Sequence, residues 1–267
     1  MPCQVSCQTA FHGTKSKQSA FPSRRNEFVS IAGINNRFAL IRRSRDWKYG
    51  CCKLSMRFPT KGLRAGQSNL VRVASTRLPT MFGVFDLVGF ERASLDKGRT
   101  ESAFLLMLGN VKNGAPLLRI HSQCFTGEVL GSLRCDCRGQ LELAMSAIAD
   151  EGSGLVIYEY EEGRGIGLMA KLRAYALQDQ GLDTIEANEA LGFDADWRDF
   201  SLAVAVLHEL KVRQVRLMSN NPQKVEALTK GRIEVIERIA CEAPPSPYAL
   251  SYLRTKKKKM GHSLTIM

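Results

Sequence analysis

The chain has 267 residues, 44% of them hydrophobic and 24% charged, which is ample for a packed core. No stretch reaches the roughly 18 apolar residues that a membrane-spanning helix needs, so neither a bilayer span nor a secretory signal is expected. The formal charge of +12 lies wholly in residues 1–72, which hold 14 of the 38 Lys and Arg but only two acids, Glu27 and Asp46. The other 195 residues are formally neutral, so the basic balance says nothing about what the folded body binds.

Residues 1–72 show no sustained periodicity and are rich in Ser, Arg, Lys and Gln. That composition fits an organellar transit peptide, a disordered basic tail, or an upstream extension that is no part of the working protein. The expected compartment is the cytoplasm, or a plastid or other organelle if the segment is a transit peptide. From residue 73 the texture changes. Val84–Phe90, Ala103–Leu108 and Pro116–His121 read as strands, and a helix follows over Gln140–Asp150 with Leu141, Ala144, Met145 and Ile148 on one face. Gly154–Tyr160 reads as a strand and Gly167–Gln180 as a helix closed by Gly181. A further helix spans Phe200–Leu210, its start assigned to Asp194 or Asp196 as cap. Val212–Met218 is a strand, Asn221-Pro222 opens a fourth helix, and Glu234–Ile239 is the last strand. The run Arg254–Lys259 reads as a solvated charged segment. Strands alternating with helices predict an α/β fold, with a mixed, largely parallel sheet flanked by helices. The organisation expected is a single domain at residues 73–267 behind a disordered N-terminal extension at residues 1–72.

Four of the eight cysteines, Cys3, Cys7, Cys51 and Cys52, lie in the basic segment, and Cys124, Cys135, Cys137 and Cys241 in the body. A chain this long does not need disulfides to fold, and clustered cysteines point instead to metal binding or catalysis. Cys124, Cys135 and Cys137 suit zinc. Three thiolates with an open fourth position would make a catalytic site; His121 or Cys241 as fourth ligand would close it into a structural one. Spacing alone leaves both open. A zinc-stabilised nucleic-acid module would draw on the basic N-terminus and Lys256–Lys259, but the body is neutral and the cysteines lack finger spacing.

The residues around these cysteines narrow the choice. Arg119–Glu128 (RIHSQCFTGE) and Ser132–Gln140 (SLRCDCRGQ) resemble the zinc motif of the GTP cyclohydrolase II family. The likeness continues in order through Glu162–Leu168, Lys171–Gly181, Asp183–Asn188, Leu191–Phe193, Asp196–Phe200, Ser219–Lys224 and Lys259–His262. It implies an enzyme that uses zinc, held by Cys124, Cys135 and Cys137, to open the guanine ring of GTP at the first committed step of riboflavin biosynthesis. The products would be a diaminopyrimidinone ribosylamine phosphate, formate and pyrophosphate. A paralogue stopping at another product is the nearest rival.

The resemblance also implies roles. Tyr175 would assist hydration of the ring, though on its own it reads as a core tyrosine of an amphipathic helix. Asp196 and Arg198 would release pyrophosphate, as proton acceptor and nucleophile toward the α-phosphate. An arginine is a demanding nucleophile because its pKa exceeds 12, and clamping the phosphates is an equally physical role. Arg119, Ile120, His121, Ser122, Gln123, Gln140, Glu162, Gly163, Arg164, Thr184, Ser219 and Lys224 would bind GTP. Gly163 and its neighbouring glycines permit close backbone approach, Gln140 pairs with a base edge, and Ser219 and Lys224 sit at a helix start suited to phosphate. Magnesium would accompany the triphosphate. A homodimer is expected; a membrane or nucleic-acid partner is not. Three residues depart from the family pattern: Gln123 stands for the usual Glu, Ser219 for Thr, and Gly231 is displaced by one position, which should disturb only a surface turn.

Overall fold

The structure, a computed structural model, describes residues 69–93, 100–194 and 196–265. The transit-peptide and disordered-tail readings fall on residues outside the described ones, up to residue 68. Strand β1 (Leu70–Thr80) and strand β2 (Gly83–Ala93) form an antiparallel hairpin, and β2 pairs antiparallel with β3 (Thr100–Leu108). Strand β3 then pairs antiparallel with β5 (Gly154–Glu159), not with its chain neighbour. Strands β4 (Leu117–Ser122), β6 (Gln214–Met218) and β7 (Glu234–Ile239) complete a seven-stranded sheet in the order β1-β2-β3-β5-β4-β6-β7. All pairings from β5 to β7 are parallel. The sheet is thus mixed, with an antiparallel half in front of a parallel half.

The central parallel strands β4 and β5 are buried on both faces, whereas the edge strand β7 is largely exposed. Leu155 and Ile157 of β5 join the core shared with helix α5 (Ser201–Glu209) and helix α6 (Pro222–Lys230), whereas Val156 packs with helix α2 (Cys137–Glu151). Each such fully buried side chain contributes roughly 1.5–3 kcal/mol. Helix α2 presents Ala144, Met145 and Ile148 to the sheet and ends at Gly152 with φ 75°. Helix α6 starts as its sequence dictates: Asn221 accepts the Gln223 N–H and Pro222 needs no partner for the N–H it lacks.

Several elements differ from the sequence reading. Strand β1 went unread because its side chains are almost all exposed, so it carries no apolar face. The cap assigned to Asp194 or Asp196 is absent: Asp194 accepts from the Trp197 ring N–H, Asp196 pairs with Arg198, and Asp199 accepts the Ser201 N–H at the helix start. Helix α3 (Leu168–Gln178) and helix α4 (Thr184–Ala190) enclose Gly181, at φ 106°. The charged run Arg254–Lys259 lies on helix α7 (Leu250–Met260): Arg254 and Lys257, Lys258 and Lys259 are exposed as expected, whereas Lys256 packs against Asp136 and Tyr252. Gly231 is no mere surface feature either. A Cβ there would run into the Val204 side chain of α5, and the left-handed position passes to Arg232 at φ 58°.

Candidate active site

The carboxyl ends of the parallel strands β4, β5 and β6 open onto one cleft, the place where open α/β sheets present ligands. Alternation along β4 puts Leu118 and Ile120 into the core and leaves Arg119 and His121 on the α2 side, where both line the cleft.

Cys124 immediately precedes the short helix α1 (Phe125–Glu128), and Cys137 is the first residue of α2. With Cys135 they bring three sulfurs within 4.8 Å of one another, the Cys124–Cys135 pair at 3.5 Å. Gly127 makes this possible, because a Cβ there would lie 2.8 Å from the Cys135 sulfur and 3.2 Å from that of Cys124. Hydrogen bonds from Cys135 and Cys137 hold the Cys124 thiol well below its usual range, and Lys171, with Nζ 3.2 Å from its sulfur, adds to this. The shared hydrogen bonds and burial push the other two thiols up. A compact set of soft donors around a glycine-cleared space fits a metal ion, and zinc in particular.

Neither proposed closing ligand is in place. Arg119 can only donate, so its 3.4 Å contact fixes His121 Nδ1 as acceptor, and His121 Nε2 donates to Glu128 at 2.8 Å. Burial lowers the His121 pKa to about 4, which keeps the ring neutral. Cys241 is buried elsewhere, its thiol donating to the Gln140 carbonyl at 3.5 Å. Among the described residues the metal-ligand group is Cys124, Cys135 and Cys137 alone.

Around the sulfurs the contacts are mutual. Glu162 accepts the Phe125 N–H at 2.6 Å through one oxygen and the Lys171 ammonium at 2.7 Å through the other, tying the turn Glu162–Gly165 to the cysteine loop. In that turn Gly163 and Arg164 both have positive φ, 61° and 64°, and a Cβ on Gly165 would touch the Trp197 carbonyl at 3.0 Å. Tyr175, on α3, shares a 3.4 Å contact between hydroxyls with Thr126, and burial raises its pKa, so it is a protonated donor. Gln140 accepts from Arg119 at 2.6 Å and donates to Asp136 at 2.5 Å, which fixes its amide orientation and leaves one donor and one acceptor over.

Arg198, which lines the same cleft, forms a two-pronged pair with Asp196, at 2.8 and 2.5 Å. Burial opposes both charges, and each partner more than offsets this for the other: the carboxyl is held low and the guanidinium high. Arg198 also reaches Ser122 Oγ at 3.4 Å. Lys224 donates to the Ile120 carbonyl at 2.7 Å; burial and the charges of Arg119 and Arg198 push its pKa well below normal. Ser219 Oγ accepts the Asn221 N–H, and Asn221 Nδ2 is buried without a hydrogen-bond partner among the described residues.

The structure thus brings nearly all the residues singled out in the sequence to one cleft: Arg119, His121, Ser122, Gln123, the three cysteines, Gln140, Glu162, Gly163, Arg164, Tyr175, Thr184, Arg198, Ser219 and Lys224 line it. Two do not. Ile120 is fully buried and offers only its carbonyl, to Lys224, while Asp196 stands behind Arg198. The sequence did not single out Arg134, Lys171, Tyr252, Lys256 and His262, although Arg134, Lys171 and His262 lie inside the family-like motifs. Among the described residues, seven basic side chains, Arg119, Arg134, Arg164, Lys171, Arg198, Lys224 and Lys256, face the cleft against Glu161 and Glu162. Such an excess calls for a polyanion.

A family model described as GTP cyclohydrolase II matches residues 71–240. The chain belongs to the GTP cyclohydrolase II family. Membership makes it a hydrolase, with the riboflavin pathway implied. It is similar to a GTP cyclohydrolase-2 of Hahella chejuensis, with 52% identity over 72% of this chain and 92% of that one. A GTP cyclohydrolase-2 of Actinobacillus succinogenes is 50% identical over 73% and 88% of the two chains. Among solved structures, a two-domain 3,4-dihydroxy-2-butanone 4-phosphate synthase from A. baumannii matches with a TM-score of 0.40 and 16% identity, over 66% of this chain and 42% of that one, too slight a likeness to build on. Among the described residues no helix is long and apolar enough to cross a membrane.

Proposed function

We propose that residues 73–267, with β1 extending the domain back to Leu70, hydrolyse GTP to a diaminopyrimidinone ribosylamine phosphate, formate and pyrophosphate. The observation that carries this is a three-thiol cluster, without a fourth protein ligand among the described residues, in a cleft lined by seven basic side chains. Bound by Cys124, Cys135 and Cys137, zinc would supply Lewis acidity that makes a water nucleophilic near neutral pH. The remaining chemistry belongs to the chain. Gln140, with one amide hydrogen and one lone pair to spare, pairs with the guanine edge. Tyr175 stays protonated and donates to the ring nitrogen released when water adds at C8 and the C8–N bond breaks. A second water then frees the same carbon as formate. A third places its oxygen on the α-phosphorus while pyrophosphate leaves.

For that last step the favoured role of Arg198 is electrostatic. Its bond pair with Asp196 keeps the guanidinium charged, which suits clamping of phosphate oxygens. Lys224, Ser219 and Asn221 Nδ2 offer donors for the same group at the start of α6, and a phosphate beside Lys224 would oppose the lowering of its pKa by burial. Magnesium is proposed on the triphosphate, held mainly by phosphate oxygens and water. A homodimer is proposed too, supported by exposed apolar side chains on the edge strand β1 and beside it, Val71, Val73, Val84 and Phe104. The test of the reaction is product analysis by mass after incubation with GTP. Formate, pyrophosphate and the pyrimidinone should appear together; a zinc-loaded chain that consumes no GTP sinks the proposal. Arg198→Ala should retain ring opening while losing pyrophosphate release by roughly a hundredfold. Equal loss of both would remove the phosphate role.

A further inference from the structure

The C-terminal segment lies beyond the residues matched by the family model, which end at 240, yet it closes one side of the cleft. Three anchors hold it there. Ser246 donates to the Leu133 carbonyl at 2.5 Å, inside the loop that joins Cys124 to Cys135. Lys259 pairs with Asp183 and Glu186 at the start of α4. Past the left-handed cap Gly261, the Ser263 N–H donates to the Asn220 carbonyl at 3.1 Å, beside the start of α6. Helix α7 therefore spans from the metal-ligand loop to the loop suited to phosphate. Leu253 and Leu264 are buried with Ala249 in a small core of their own.

Four-residue spacing puts Tyr252, Lys256 and Met260 on one face of α7, and all three line the cleft, joined by His262. Lys256 is the charged member. Only 13% of its side chain is exposed, its ammonium lies 4.4 Å from the Tyr252 ring centre, and its carboxylate neighbour Asp136 stands at 3.5 Å, the outer edge of a hydrogen bond. The Arg164 guanidinium approaches the same ring at 5.7 Å. The Tyr252 ring and Asp136 favour the charge of this largely enclosed ammonium, yet among the described residues it makes no short ion pair of the kind that normally accompanies such enclosure.

We propose that Lys256 is a substrate-binding residue that ligates the phosphates of GTP, and that α7 is the wall of the active site that delivers it. This rests on the reading of the cleft as a triphosphate site. Inorganic tripolyphosphate separates the two ideas, because its binding requires no turnover. By calorimetry on the full chain, Lys256→Met should weaken tripolyphosphate binding roughly tenfold to a hundredfold, Lys256→Arg should recover most of it, and Lys258→Met, on the exposed face, should leave it unchanged. In steady state the same Lys256→Met change should raise KM for GTP more than it lowers kcat. Equal tripolyphosphate binding by the wild type and Lys256→Met, or a loss matched by Lys258→Met, overturns the assignment. A wild type that binds tripolyphosphate but leaves GTP intact would instead overturn the proposed reaction and leave Lys256 as a phosphate ligand.

Discussion

At the scale of single residues, Gly127 shows how narrow the tolerance around the cysteines is. A methyl group there would meet two sulfurs inside contact distance, and neither belongs to a flexible chain end that could retreat. Gly127→Ala should therefore bind less than half the metal of the wild type under equal zinc, measured by metal analysis of the purified chain; full metal content would show that the loop can shift. His121 makes a second prediction, with its sign fixed by burial. Its folded pKa of about 4 lies below the ordinary value of 6.5, so the folded chain binds fewer protons than the unfolded one between those limits. Stability is fully present above 6.5 and is lost as pH falls toward 4, by about 3 kcal/mol at most. Melting temperatures measured from pH 7 to 4 should fall less steeply for His121→Gln than for the wild type, and parallel curves would contradict the assignment. The sequence exposed the cysteines and Tyr175 through their motifs. It could not exclude His121 as a ligand, since that depends on Arg119 and Glu128 occupying its two nitrogens.

At the scale of elements, the parallel strands and α2, α5 and α6 were legible because their apolar residues recur at the right spacing. Helix α4 was passed over despite a sequence signal, Asp183 followed three residues later by Glu186, which the structure turns into a reciprocal capping box. Helix α7 was obscured for a different reason. Four successive lysines give no phase, and only packing on Tyr252 and Asp136 distinguishes the inward Lys256 from its neighbours. Asp183 serves both elements, since it caps α4 and pairs with Lys259 of α7. Asp183→Ala should cost about 1 kcal/mol from the cap, whereas Asp183→Asn should cost less, because the amide still caps and an exposed ion pair contributes little. Denaturant melts of the two variants check this; equal losses would assign the stability to the ion pair.

At the scale of the whole molecule, the sheet changes character halfway, from antiparallel β1, β2 and β3 to the parallel set that carries the cleft. The sequence reading gave the mixed sheet but not the exposed β1 edge, because a strand without a buried face has no periodic signal. The cysteine cluster and the cleft of basic side chains that it joins should serve one reaction. The most direct measurement is formate release from GTP by the chelator-treated chain as zinc is titrated back. Almost no formate is expected without metal, with recovery in proportion to zinc that saturates near one equivalent per chain. Undiminished formate release from the metal-free chain would contradict it.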